Sequence, residues 1–159
     1  MIILGLDPGT TLIGFGVIKK TGSSLLPLEY GVIDTAGFSP EQKLNEIEKK
    51  VTALIKKHQP DRVAIEKLFF SKNVKTALAV SEAKGVLMLC AEKLNRPVCY
   101  FTPPQIKQSV SGYGQAGKKQ VQQMVKLILK LKEVPQPDDT ADALAAAICC
   151  AHSEMTHYV

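Results

Sequence analysis

Four carboxylates stand at places where carboxylates are costly or unusual. Asp7 ends the apolar run Ile2–Leu6, and Glu66 ends the run Val63-Ala64-Ile65. Asp139 and Asp142 lie in an alanine-rich stretch beside Ala141, Ala143, Leu144 and Ala145. At about 100° per residue, helical positions three apart share a face, so the last two acids can point the same way. Carboxylates brought together repel one another unless a cation sits among their oxygens. Hard oxygen ligands of this type suit Mg²⁺ or Mn²⁺. Two such ions, about 3.5–4 Å apart, can stabilise both the attacking and the leaving oxygen of a phosphodiester undergoing hydrolysis.

Each acid alone has a more ordinary reading. Asp7 precedes Pro8-Gly9 and can be a turn residue, Glu66 can pair with a surface lysine, and Asp138 or Asp139 can cap a helix. Asp138 follows Pro137 directly and is assigned to the cap. It also lies four residues from Asp142, so spacing alone leaves the doublet open. The combination is harder to dismiss, because two of the acids end short apolar strands.

The elements that must position these acids are legible in outline. Residues 2–6, 13–18 and 25–33 read as three strands joined by tight turns, an antiparallel meander. Ser39-Pro40-Glu41-Gln42 opens a helix with an N-cap, proline at the first position and a capping box. Leu44, Ile47, Val51, Leu54 and Ile55 give it one apolar face, and Pro60 closes it. A short strand over 62–66 follows, then a helix over about 73–95. A strand over 97–101 leads to a short helix over 103–110. Beyond the glycine-rich loop 111–117 come helices over 118–132 and about 138–152. Three hairpin strands followed by β-α alternation imply a mixed five-stranded sheet flanked by helices, the ribonuclease H-like arrangement. Residues 1–159 are expected to form one such domain.

Composition narrows the function. The chain has 159 residues, 45% of them hydrophobic and 22% charged, which is a globular composition. No apolar run approaches a membrane span, and no basic segment precedes a cleavable apolar one, so a cytoplasmic protein is expected. Cys90, Cys99, Cys149 and Cys150 contain no C-x-x-C pair and lie badly for zinc, so they read as reduced, buried thiols. The net charge is +5. No acid occurs between Lys93 and Lys132, whereas Lys93, Arg96, Lys107, Lys118, Lys119, Lys126, Lys130 and Lys132 are basic, the footprint of phosphate binding. Lys107 and Lys118 flank the glycine loop and are the better candidates to touch a phosphate backbone or hold a scissile phosphate, whereas the last three fit a solvated face. The helix over 73–95 is apolar on nearly every side and calls for a second cover, which a two-fold partner can supply.

Ile3-Leu4-Gly5-Leu6-Asp7-Pro8-Gly9, Ala64-Ile65-Glu66 and Asp139-Thr140-Ala141-Asp142-Ala143-Leu144-Ala145 resemble the three acidic motifs of bacterial RuvC-type Holliday-junction resolvases. The resemblance spans residues 1 to about 152. It implies a ribonuclease H-like fold, a homodimer, and Mg²⁺-dependent resolution of four-way DNA junctions by two symmetric nicks. The family's four acids fall on Asp7, Glu66, Asp139 and Asp142, and their spacing favours Asp139 over Asp138. Two family lysines match Lys107 and Lys118, the latter with Lys119 beside it. An aromatic that enters the junction matches Phe69, next to Phe70. The resemblance also implies a branch-migration helicase complex as partner.

Two other classes compete. Leu6-Asp7-Pro8-Gly9-Thr10-Thr11 looks like a phosphate-binding hairpin of actin-like phosphotransferases, but those close two domains on a nucleotide. A non-catalytic DNA-structure binder would leave the acids structural, against the completeness of the set.

Overall fold

The computed structural model describes residues 1–67 and 74–153. Phe69 and Phe70 lie outside the described residues. Among the described residues, five strands and five helices follow in the order β1 (Ile2–Asp7), β2 (Leu12–Thr21), β3 (Ser24–Asp34), α1 (Pro40–His58), β4 (Arg62–Glu66), α2 (Val74–Lys93), β5 (Val98–Phe101), α3 (Pro103–Ser111), α4 (Lys118–Ile128) and α5 (Asp138–His152). The sheet order is β3-β2-β1-β4-β5. β1, β2 and β3 form an antiparallel meander, while β4 and β5 run parallel to β1. This is the mixed five-stranded, helix-flanked sheet that the element order implied. The register shifts between Val17 and Ile18, where β3 carries Pro27. An edge strand tolerates that proline because its missing N–H faces no second neighbour.

The sheet separates two cores. On one face Leu4, Leu6, Ile13, Val63 and Ile65 pack against Ile47, Val51 and Ile55 of α1 and Leu87 and Cys90 of α2. On the other, Ile3, Ile18 and Ala64 pack against Leu144, Ala147 and Ile148 of α5, with Ile106 of α3 and Val125 of α4 beside them. Alternation along a strand carries this split to the strand ends. Ile3, Gly5 and Asp7 share the face toward α5, and so do Ala64 and Glu66.

α5 lies unusually close to the sheet because the facing positions lack side chains. A Cβ on Gly5 would come 2.0 Å from the Ala143 carbonyl oxygen, and one on Gly14 would come 1.9 Å from that of Asp139. Alanines on α5 complete the approach, and residues 143 to 151 of this helix are all buried.

Several boundaries differ from the expectations. α1 has the expected Ser39 cap, and Gln42 completes its box. α4, expected to reach Lys132, ends at Ile128. The Leu131 N–H bonds the Lys126 carbonyl and the Lys130 N–H bonds that of Leu127, with Lys130 at φ 53°. This left-handed C-terminal motif turns the chain so that Leu129 stays buried. The cap of α5 is Pro137, not Asp138, and no side chain caps it. Asp138 occupies the first helical position, and its carboxylate is engaged elsewhere. No helix among the described residues is long and apolar enough to cross a membrane.

Candidate functional site

The parallel pairing of β1 and β4 sets Leu6 opposite Ile65, so Asp7 and Glu66 follow as neighbours at the same end of the sheet. Both project toward α5. The contact of Gly14 with the Asp139 backbone brings the first turn of α5 over that end, and Asp142 follows one turn later on the same face. A cavity of about 270 Å³ opens here, lined by Glu66, Lys107, Lys118 and Asp142 with Pro103, Ile106, Val121 and Ala145.

Electrostatics show how closely the acids are coupled. Burial, then the charges of Asp142, Glu66 and Asp139, push the Asp7 carboxyl up to about 7, with Lys118 opposing. Burial raises Glu66 as well, reinforced by Asp142 and opposed by Lys107, Lys118 and Lys84. Asp142 is raised by burial in spite of its pairing with Lys118. Among the described residues, no three His, Cys, Asp or Glu side chains already stand close enough to ligate one ion. The donor set nonetheless fits a hard divalent cation. It consists of carboxylate oxygens only, and added positive charge would relieve the repulsion that lifts Asp7.

Two helices supply the cations. The capping box of Thr102 with Gln105 starts α3 directly after β5 and sets Lys107 at the rim. α4 begins at Gly117 without a side-chain cap, so Lys118 is its first helical residue. A lysine at a helix N-terminus is disfavoured by the helix dipole. Here its Nζ lies 3.1 Å from Asp138 Oδ2 and 3.3 Å from Asp142 Oδ2. Burial works against the ammonium charge, but the bonds to the two aspartates outweigh it and raise Lys118 overall.

The structure thus gathers Asp7, Glu66, Asp139, Asp142, Lys107 and Lys118. Two further neighbours carry little signal in the sequence. Lys84 of α2 acts on Glu66 and sits 5.0 Å from the Tyr100 ring centroid. Its signal is a lone cation within the apolar run Ala83–Leu87. Gln122 of α4 is buried and donates from Nε2 to Asp138 Oδ1 at 2.8 Å. No sequence signal marks it, since a glutamine on an amphipathic helix is ordinary.

A sheet in this order, flanked by helices on both faces, places the protein among the ribonuclease H-like folds. A family model described as "Crossover junction endodeoxyribonuclease RuvC" matches residues 3–150, and the chain belongs to that family of metal-dependent nucleases. Relatives under that name include one from Desulfitobacterium hafniense, 49% identical over 96% of this chain and 93% of its own length. Another, from Brevibacillus brevis, is 49% identical over 100% of this chain and 95% of its own. The structure of Thermus thermophilus RuvC in complex with Holliday junction substrate superposes with a TM-score of 0.90 at 35% identity, covering 95% of this chain and 93% of that one.

Proposed function

We propose that this chain is a structure-selective endonuclease that resolves four-way DNA junctions by paired symmetric nicks. The observation that carries the reading is the mutual proximity of Asp7, Glu66, Asp139 and Asp142 at one end of the sheet, beside a cavity that Glu66, Asp142, Lys107 and Lys118 line. Asp7, Glu66, Asp139 and Asp142 are the residues that would hold two Mg²⁺ ions, which Mn²⁺ could replace. Bound there, such ions would supply the Lewis acidity that phosphodiester hydrolysis needs near neutral pH. Lys107 and Lys118 neutralise and orient the scissile phosphate, Lys118 from a position already shared with Asp142. The backbone of α5 rests directly on Gly5 and Gly14, which sets its first turn over the strand ends. Phe69, three residues beyond Glu66 in the sequence, is the residue proposed to enter the junction.

The unit that acts is a homodimer of the ribonuclease H-like domain formed by residues 1–159. α2 turns Ala83, Leu87, Cys90 and Ala91 to the core, yet leaves Leu78 60%, Met88 41% and Leu89 50% exposed. A two-fold partner would cover that outer face and set two sites against strands of like polarity. A branch-migration helicase complex is the further partner, and the cytoplasm is the location.

The test is a labelled immobile four-way junction incubated with the protein in Mg²⁺ and in EDTA, with matched duplex and RNA–DNA hybrid as comparisons. Paired nicks confined to the junction, lost in EDTA and in Asp7→Asn, are expected. Cutting that survives Asp7→Asn would falsify the site. Cutting of the hybrid alone would keep the chemistry and change the substrate.

A further inference from the structure

Asp138 is the acid beside the site that the four-carboxylate assignment leaves without a role. It does not cap α5, although it follows Pro137 at the start of that helix. Its carboxylate turns instead toward α4. One oxygen, Oδ1, accepts from Gln122 Nε2 at 2.8 Å, and the other, Oδ2, lies 3.1 Å from Lys118 Nζ. Lys118 and Gln122 are four residues apart on α4 and therefore share a face. Gln122 is 8% exposed, whereas the Asp138 side chain is 51% exposed. A buried amide thus fixes an exposed carboxylate, which an isolated surface ion pair could not do for itself. The Lys118 ammonium sits between this fixed acid and Asp142 Oδ2, 3.3 Å away on the site side.

We propose that Asp138, held by Gln122, is a positioning residue for Lys118. It keeps the ammonium at the rim of the carboxylate site when a cation takes Asp142, and so within reach of a phosphate. The inference rests on the nuclease reading above and adds a second tier to it. Two cations cannot share Asp142 comfortably, because a divalent ion repels the ammonium at this range. Without a second acceptor, Lys118 would compete for Asp142 or swing into solvent on its flexible four-carbon stem. With Asp138 in place it has a partner that no ion needs. This also accounts for a lysine at the first position of α4, where the helix dipole alone disfavours a cation.

The experiment compares Gln122→Met, Asp138→Asn, Asp138→Glu and Lys118→Ala, singly and combined, in the full chain. Gln122→Met keeps the volume and changes no charge, which separates positioning from long-range electrostatics. The first readout needs neither metal nor DNA: amine-reactive labelling of Lys118, quantified by mass spectrometry. Labelling is expected to rise several-fold in Gln122→Met and Asp138→Asn and to return toward the starting level in Asp138→Glu. The second is single-turnover junction cutting, whose maximal rate is expected to slow about tenfold with little change in the protein concentration that gives half of it, as for a misplaced catalytic group. In the Lys118→Ala background neither substitution should slow cutting further.

Unchanged labelling and rate in both Gln122→Met and Asp138→Asn, or effects that add to Lys118→Ala, would overturn the inference. Should Gln122→Met fail to fold, Asp138→Asn on the exposed partner carries the test alone. A wild-type protein that cuts no junction would sink the nuclease reading instead, and an Asp7→Asn variant that still cuts would sink the carboxylate site. The labelling result would still decide whether Asp138 holds Lys118.

Discussion

Gly14 of β2 and Asp139 of α5 meet backbone to backbone, so that a Cβ on the glycine would fall 1.9 Å from the aspartate's carbonyl oxygen. No flexible side chain is there to yield. Gly14→Ala must therefore push the start of α5 off the sheet and carry Asp139 and Asp142 with it. Overpacking of this kind costs about 1–3 kcal/mol, and a backbone contact belongs at the upper end. A clear fall in melting temperature is expected, with junction cutting lost more completely than stability. Calorimetry and a nicking assay on the same preparation check both.

Asp7 gives a pH dependence with a definite sign. Its carboxyl is raised from 3.8 to about 7 in the folded protein. Between those values the folded chain keeps a proton that the unfolded chain has lost. Stability from this group is therefore present at low pH and falls as pH rises toward 7. In EDTA, Asp7→Asn is expected to melt several degrees above the wild type at pH 7.5 and at nearly the same temperature at pH 4. A lower melting temperature for the variant at pH 7.5 would show that the Asp7 charge does not destabilise the fold.

Lys107 should act on binding as well as on rate. If it contacts one phosphate, Lys107→Ala reduces the slope of log K against log salt by about one. Junction binding in EDTA, measured from low to moderate salt, isolates this from catalysis. An unchanged slope would remove Lys107 from the DNA contact.

The outer face of α2 predicts an assembly. Leu89→Lys places a charge at a half-exposed apolar position, 50% accessible in the single chain. Burying that charge in a dimer is costly, and leaving it in a monomer is not. Sedimentation is expected to show a shift to monomer with an intact fold. Junctions should then accumulate single nicks in place of paired ones. A dimer that survives the substitution would move the interface elsewhere.

Much of this was legible in the residues themselves. Local chemistry marks the start of α1, because Ser39 and Gln42 accept from each other's backbone N–H and Pro40 carries none to satisfy. Alternation marks the strands, and an acid at the end of an apolar strand stands out because burying it is expensive. Asp7 and Glu66 could be singled out for that reason before any pairing was known. Local pattern failed where an outcome depended on contacts far along the chain. Lys132 looked helical, yet the left-handed turn at Lys130 ends α4 early so that Leu129 can pack inward. Asp138 looked like a cap, yet its partners are 16 and 20 residues away, at Gln122 and Lys118.

The sequence by itself determined the identity and order of the elements and which acids were out of place, because those follow from short-range periodicity and the cost of burying charge. Only the tertiary structure decided how the acids meet and which cation stands among them. That depends on α5 resting on Gly5 and Gly14 and on α4 docking beside α5, and such approach distances are fixed by packing between surfaces that no local stretch of chain contains.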